Sequence, residues 1–203
     1  MAPTNSKSAR SRIEYRELTT GDWPVVVSLF GRQGACGGCW CMWWRVARGG
    51  KLWEETKGAK ARLQSKRLIE SGRMHAVLAF DGEEPVGWCT FGPRQNFPRL
   101  ETVKAYVPPD DASVWSIPCL FIIRAYRGRG IATELVRTAV AAAGRRGAVI
   151  VEGYPVTTTK DGRRVAPVYS WTGPLTVFER CGFDIVQRIN PLHPVVRRSV
   201  RCG

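Results

Sequence analysis

Arg127-Gly-Arg-Gly-Ile-Ala132 lies between an apolar run and an amphipathic segment, and this context makes it the most informative stretch of the chain. Residues 117–123, before it, are mainly apolar and are bounded by turn-forming residues, which is typical of a buried strand. Residues 133–143, after it, are rich in strong helix formers and carry apolar side chains at helical spacing. The sequence therefore predicts a strand, a glycine turn and a helix in succession.

The predicted turn has the features of an anion-binding site. Gly128 and Gly130 allow the backbone to approach a ligand closely, and the helix that follows offers unpaired N–H groups at its start. Arg127 and Arg129 add positive charge, so the turn suits a pyrophosphate. The spacing fits neither a P-loop, which ends in Gly-Lys-Ser/Thr, nor a dinucleotide-binding turn with three glycines. The alternative is a surface turn that happens to contain two glycines.

The same turn carries a resemblance to a known family. Arg127-x-x-Gly130-x-Ala132 resembles the Arg/Gln-x-x-Gly-x-Gly/Ala signature of the GNAT acetyltransferase superfamily, whose members bind the pyrophosphate of acetyl-CoA there. The resemblance implies acetyl-CoA as co-substrate, with no metal ion. The residues implied to bind the pyrophosphate are Arg127, Gly128, Arg129, Gly130, Ile131, Ala132 and Thr133.

The order of predicted elements along residues 13–200 is similar to the GNAT fold from end to end. It predicts one α/β domain over residues 13–203, with a single mixed, mainly antiparallel twisted sheet of about seven strands flanked by about four helices. Residues 1–12 are polar and basic, and we predict that they form a flexible tail. Four motifs together resemble a bacterial subgroup of the superfamily, and this resemblance implies no particular substrate. They are Cys39-Trp-Cys-Met-Trp-Trp-Arg45, Pro85-Val-Gly-Trp88, Glu152-Gly-Tyr-Pro155 and Trp171-Thr-Gly173.

Composition favours a cytoplasmic protein without a disulfide framework. The chain of 203 residues is long enough to bury a core, and its seven cysteines are scattered through predicted strands and helices. No apolar run reaches the roughly 18 residues of a membrane span, so no membrane partner is expected. The net charge of +14 points to polyanionic partners, but the basic residues are spread along the chain. A solvated basic face is therefore favoured over a nucleic-acid-binding surface.

The resemblance also implies where the donor and the base lie. The strand at Leu120, Phe121 and Ile122 would pair with the pantetheine arm, and one of its N–H groups would bind the thioester oxygen. An ammonium acceptor has a reference pKa of about 10.4 and must lose a proton, which requires a base. Glu152, at the end of a predicted strand, is the candidate base. The alternative is that Glu152 belongs to a structural ion pair.

The catalytic acid is where the sequence departs from the family. Many GNAT proteins carry a tyrosine in the last helix, but Phe178 occupies that position here. Tyr169, in the preceding loop, is the candidate acid. Tyr154 is a second candidate, which would otherwise line the acceptor pocket. Protonation of the leaving thiolate by solvent is the remaining alternative.

Cys36-Gly-Gly-Cys-Trp-Cys-Met-Trp-Trp-Arg45 is the second unusual segment. Its three cysteines have a spacing that zinc can use, but no fourth ligand is apparent, so no metal is expected. Trp40, Trp43 and Trp44 are predicted to form an aromatic wall of the acceptor site. The alternative is that these rings pack in the core.

Together these features predict an enzyme that transfers an acetyl group from acetyl-CoA directly to a primary amine of a small molecule. Acetylation of a protein lysine or N-terminus is an alternative, and a non-catalytic CoA-binding or basic nucleic-acid-associated protein is an alternative of another class. A homodimer is compatible with the family. Glu101, Asp110 and Asp111 are available to bind a cationic substrate, although ordinary solvated charge is favoured for them.

Overall fold

The computed structural model describes residues 12–102, 113–157 and 171–200. Its centre is a seven-stranded open sheet with the strand order β1-β2-β3-β4-β5-β7-β6. Only β4 and β5 pair in parallel, and every other neighbouring pair is antiparallel, which confirms the predicted mixed sheet. The strands are β1 Ile13–Glu17, β2 His75–Asp81, β3 Glu84–Pro93, β4 Val114–Ile122, β5 Ile150–Gly153, β6 Asp184–Asn190 and β7 His193–Ser199.

Six α-helices flank the sheet in the described part of the chain, where about four were predicted. Two of them, with six and four residues, are too short for an apolar repeat to show in the sequence. The helices are α1 Trp23–Phe30, α2 Lys51–Thr56, α3 Ala59–Glu70, α4 Arg99–Thr102, α5 Ile131–Gly144 and α6 Leu175–Glu179. None of the helices in these ranges is long and apolar enough to span a bilayer.

Two of the three hydrophobic clusters in the described residues lie on opposite faces of the sheet. On one face α5 and α6 cover side chains of β2 to β5, and the apolar stripe of α5 is buried as its spacing predicts. On the other face α1 and α3 cover Leu78 and Trp88, together with the loop that carries Trp40. The glycine turn and α5 therefore belong to one face, and the tryptophan-rich segment belongs to the other.

A bulge in β4 positions the candidate site. Thr90 pairs with Cys119 and Gly92 pairs with Ser116, so three residues of β4 span the same length as two of β3. Pro118 lies in this bulge, where its missing N–H is tolerated. Because β4 and β5 pair only over residues 114–117 and 150–153, the edge of β4 beyond Pro118 is left unpaired by β5.

Gly153, the last residue of β5, allows close packing of α6 on the sheet. A Cβ at this position would lie 2.3 Å from Cε1 of Phe178, a fully buried ring. We expect Gly153→Ala to lower the free energy of unfolding by about 1–3 kcal/mol because the ring would have to move. Urea denaturation measures the change. Gly21→Ala is the matched control, since a Cβ at Gly21 meets nothing within 4 Å; equal losses in both variants would contradict the packing argument.

Candidate active site

The turn before α5 has the geometry of an anion cradle. Gly128 and Gly130 adopt left-handed φ angles of 78° and 83°, which residues with a Cβ rarely take. Gly130 is also the N-cap of α5, whose first N–H groups have no acceptor within the helix. A Cβ built at either glycine would meet nothing within 4 Å, so the space above the turn is open. The predicted residues 127–133 are thus contiguous around one helix N-terminus.

The two arginines of the turn are held by different contacts. Arg127 donates from Nε to the carbonyl oxygen of Ile122 at 3.0 Å, which ties the turn to the end of β4. The Arg129 guanidinium lies 4.7 Å from the ring centroid of Tyr126, and Tyr126 donates to Glu84. Positive charge therefore lies on both sides of Gly128, and it adds to the positive end of the α5 dipole.

The edge of β4 that β5 leaves unpaired makes a backbone hydrogen bond to another segment at Leu120. The Leu120 N–H donates to the carbonyl oxygen of Trp171 at 2.6 Å. This N–H belongs to the strand segment predicted to bind pantetheine and the thioester oxygen. A donor molecule that uses the same group must replace the Trp171 carbonyl. The Phe121 ring, by contrast, packs edge-on against Phe30 in the core at a centroid distance of 5.7 Å.

Glu152 lies at the centre of a buried ion-pair network. Its side chain is fully buried on β5, and Oε1 accepts a hydrogen bond from Nη1 of Arg94. Its other oxygen, Oε2, accepts from Nε of Arg197 at 2.7 Å. Arg94 in turn donates from Nε to Glu101 at 3.0 Å, so the network reaches the surface through a half-exposed carboxylate. These contacts favour the structural alternative for Glu152.

Tyr154 joins the same network. Its hydroxyl donates to Oε1 of Glu152 at 2.5 Å and lies 2.8 Å from Oγ of Ser116 on β4. Burial, followed by the nearby Glu152 carboxylate, raises the pKa of Tyr154 well above its ordinary value. The phenol therefore stays protonated at neutral pH, and it is held as a donor to the carboxylate.

Neither Arg94 nor Arg197 was among the predicted site residues. β7 places Arg197 beside Glu152 through strand register, and Ser116 flanks Glu152 on the other side. Arg94 comes from the short 3₁₀ helix Arg94–Asn96 that follows β3. The only sequence signal was that Glu152 needs a partner if its strand is buried. Nothing local indicated which of the many arginines would provide it.

The structure separates the three predicted wall tryptophans. Trp40 is buried beneath α1, where it packs against Trp23 and Phe30, so for this ring the core alternative is favoured. Trp44 stacks on Tyr154 at a centroid distance of 6.0 Å, above the Glu152 network.

Trp43 contacts Trp171, whose carbonyl oxygen accepts the hydrogen bond from the Leu120 N–H of β4. It packs edge-on against Trp171 at 6.5 Å and against Trp53 at 5.0 Å. Trp43 and Trp171 therefore form the aromatic surface next to the Leu120 N–H, and Trp53 extends this surface away from the strand.

The cysteine segment does not form a cluster of thiols around one point. Cys36 is exposed, Cys39 is half-buried, and Cys41 is buried with its sulfur accepting a hydrogen bond from the Trp88 indole at 3.3 Å. Burial raises the pKa of Cys39 to about 11, which keeps this thiol protonated. Within residues 12–102, 113–157 and 171–200, no group of three or more His, Cys, Asp or Glu side chains is arranged to hold a metal ion.

Some predicted residues lie outside the described ranges. Tyr169, the candidate acid, is one of them, and Asp110 and Asp111 are the others. Phe178, which replaces the usual tyrosine, is fully buried and packs edge-on against Phe183 at 5.2 Å. Phe178 therefore contributes to the core beside β5 and supplies no proton donor.

Comparison with solved structures shows the same fold in several acetyltransferases. The PaiA N-acetyltransferase of Thermoplasma acidophilum, solved with coenzyme A, is 12% identical with a TM-score of 0.53, over 93% of this chain and 99% of that one. A GCN5-related N-acetyltransferase of Kribbella flavida is 17% identical with a TM-score of 0.55, over 93% and 98%. The mosquito arylalkylamine N-acetyltransferase like 5b is 12% identical with a TM-score of 0.57, over 93% and 100%.

Comparison by sequence gives the family but no specific activity. No curated protein matches the chain. A model of the acetyltransferase (GNAT) family matches residues 40–170, which include β2 to β5, the glycine turn and α5. The match covers more than half of the sequence, and it agrees with the signature at the turn and with the sheet order. The chain therefore belongs to the acetyltransferase (GNAT) family and is an acyltransferase.

Proposed function

We propose that this enzyme transfers the acetyl group of acetyl-CoA directly to the primary amine of a small molecule. The observation that carries the proposal is the open glycine turn at the N-terminus of α5, beside a β4 edge that β5 leaves unpaired. The turn offers N–H groups and two arginines to a pyrophosphate, and the strand edge offers backbone groups to the pantetheine arm.

The donor would be bound by residues of two neighbouring elements. Arg127 to Thr133 would hold the pyrophosphate, and Leu120 to Ile122 would hold the pantetheine through their backbone. The Leu120 N–H would then bind the thioester oxygen, so the Trp171 carbonyl would move away when the donor enters. Donor binding is therefore coupled to a shift of the segment at Trp171 in this proposal.

The acceptor would enter from the face that carries Trp43 and Trp171. Their edge-on packing, continued by Trp53, makes this surface aromatic and suits a small amine with an apolar body. The Arg99 guanidinium lies 3.7 Å from the Trp43 ring centroid, so one face of this ring is already covered. A protein lysine or N-terminus would need an open groove at the same place.

Proton transfer in this proposal involves Glu152 and a phenol. Glu152 as the base requires a path for the proton, and Tyr154 connects the carboxylate to Ser116 on β4. Because Arg94 and Arg197 already occupy both carboxylate oxygens, the structural role of Glu152 has the stronger support. Tyr169 or solvent would protonate the leaving thiolate.

Calorimetric titration of the protein with acetyl-CoA tests the donor half of the proposal. We expect micromolar affinity for acetyl-CoA and CoA and much weaker binding of ATP, because ATP lacks the pantetheine arm. Turnover with a panel of small amines, compared with lysine-containing peptides, tests the acceptor half. Tight donor binding without turnover of any amine would favour the non-catalytic alternative, and absence of donor binding would contradict the proposal.

A further inference from the structure

Arg45 has a buried guanidinium that the proposed mechanism does not use. It is the last residue of the 3₁₀ helix Trp43–Arg45, and its guanidinium lies 4.7 Å from the ring centroid of Phe97. Its Nη1 donates a long hydrogen bond of 3.5 Å to the carbonyl oxygen of Asn96. Burial lowers the pKa of Arg45, although an arginine remains charged at neutral pH.

One edge of this guanidinium has no partner. The Nε and Nη2 atoms are buried, and neither donates a hydrogen bond within the parts of the chain that the structure describes. A buried charged donor without an acceptor lowers the stability of the fold, so a ligand that accepts hydrogen bonds from both atoms would remove this cost. Nε and Nη2 form the side of the guanidinium that meets a carboxylate in two parallel hydrogen bonds. The missing partner therefore has the chemistry of a carboxylate.

The neighbouring arginines are already committed. Arg94 donates to Glu152 and Glu101, and Arg99 donates to the carbonyl oxygens of Trp43 and Arg48 at 2.7 and 2.8 Å. Cys41 is close enough to interact electrostatically with Arg45, but its sulfur accepts from the Trp88 indole and receives no hydrogen bond from the free edge. Of these three arginines, Arg45 is therefore the one that has buried N–H donors without acceptors in the described part of the chain.

The position of Arg45 connects it to the proposed acceptor site. Trp43, in the same short helix, contacts the Trp171 ring, and the Trp171 carbonyl binds the Leu120 N–H. Trp44, which lies between Trp43 and Arg45 in the sequence, stacks on Tyr154 above Glu152. The same helical turn therefore contributes to the aromatic surface and carries the unsatisfied guanidinium.

We propose that Arg45 binds a carboxylate of the acceptor, so that the substrates are amines that also carry a carboxylate, such as amino acids. This inference rests on the proposed function, because it names the substrate class of that same acceptor site. The amine would be directed to the donor while the carboxylate pairs with Nε and Nη2 of Arg45. Specificity would arise because an amine without a carboxylate leaves these two buried donors unpaired.

The experiment uses binding probes that lack the amine. Protein saturated with CoA is titrated by calorimetry with acetate, butyrate and 3-phenylpropionate, and with the three corresponding neutral amides. We expect at least one acid to bind about tenfold or more tightly than its amide, since the site is built to hydrogen-bond a carboxylate. Arg45→Gln and Arg45→Lys should abolish or strongly reduce this preference, because lysine keeps the charge but lacks the planar fork.

Arg48→Gln is the matched control, because it removes the same charge from an exposed position three residues away. The control should keep the preference for acids. The inference is overturned if the unmodified protein shows no preference for any acid, or if the preference survives in Arg45→Gln. The turnover of phenylalanine is then compared with that of phenethylamine, which has the same ring and amine but no carboxylate. Failure of acetyl-CoA binding would instead overturn the proposed function, and the two outcomes are distinguished by titrating CoA first.

Discussion

Gly130→Glu is expected to weaken the binding of acetyl-CoA by at least about a hundredfold, equivalent to roughly 2.7 kcal/mol. Gly130 caps α5 with a φ of 83°, and the space above it is open. A glutamate here would place bulk and negative charge where the pyrophosphate is expected to lie. It would also strain the backbone by about 1–2 kcal/mol, because a side chain is disfavoured in this conformation. Calorimetry with acetyl-CoA measures the loss.

Gly147→Glu is the control that separates the effect on acetyl-CoA binding from the effect of backbone strain. Gly147 has nearly the same φ, 85°, and a Cβ there also meets nothing within 4 Å. It lies after the C-terminal end of α5, at the opposite end of the helix from the turn. This control should lose similar stability and keep its affinity for acetyl-CoA. Retained affinity in Gly130→Glu would contradict the assignment of the turn to pyrophosphate.

Glu152→Gln is expected to lower the free energy of unfolding by about 3–5 kcal/mol. The amide fills the same volume, but it removes the buried negative charge that both Arg94 and Arg197 contact. A loss of this size is a large part of the stability of a typical domain. Urea denaturation of the variant, followed by circular dichroism, measures the change.

Glu101→Gln is the matched control at the other end of the network. Glu101 also binds Arg94, but its side chain is about half exposed, so its loss should cost only about 0–1 kcal/mol. Similar losses in the two variants would contradict the view that burial makes Glu152 important. If Glu152→Gln keeps its stability, keeps its affinity for acetyl-CoA and shifts the pH profile of turnover, the catalytic role is supported instead.

The glycine turn before α5 was predictable because its signals are local. Glycines that adopt positive φ, arginines beside them and an apolar repeat over the next helix all act within about fifteen residues. The strands followed from short apolar runs and turn residues in the same way, whereas the sheet class followed from the resemblance of the element order to the GNAT fold. Helices α2 and α4 were missed because six or four residues cannot display a helical repeat.

The partners of the site depend on contacts between distant parts of the chain. Glu152 meets Arg94 and Arg197 from positions 58 and 45 residues away, and Trp171 reaches Leu120 through a hydrogen bond across the sheet edge. Trp40 and Trp43 are three residues apart, yet Trp40 packs in the core and Trp43 packs against Trp171.

Local sequence therefore determined the strands, the longer helices and the glycine turn, since backbone conformation and helical or strand periodicity depend on neighbouring residues. Tertiary packing decided which arginines neutralise Glu152, which tryptophan packs against Trp171 and which guanidinium has buried donors without acceptors in the described part of the chain. These outcomes depend on strand register, on the bulge at Pro118 and on burial, which act between residues far apart in the chain.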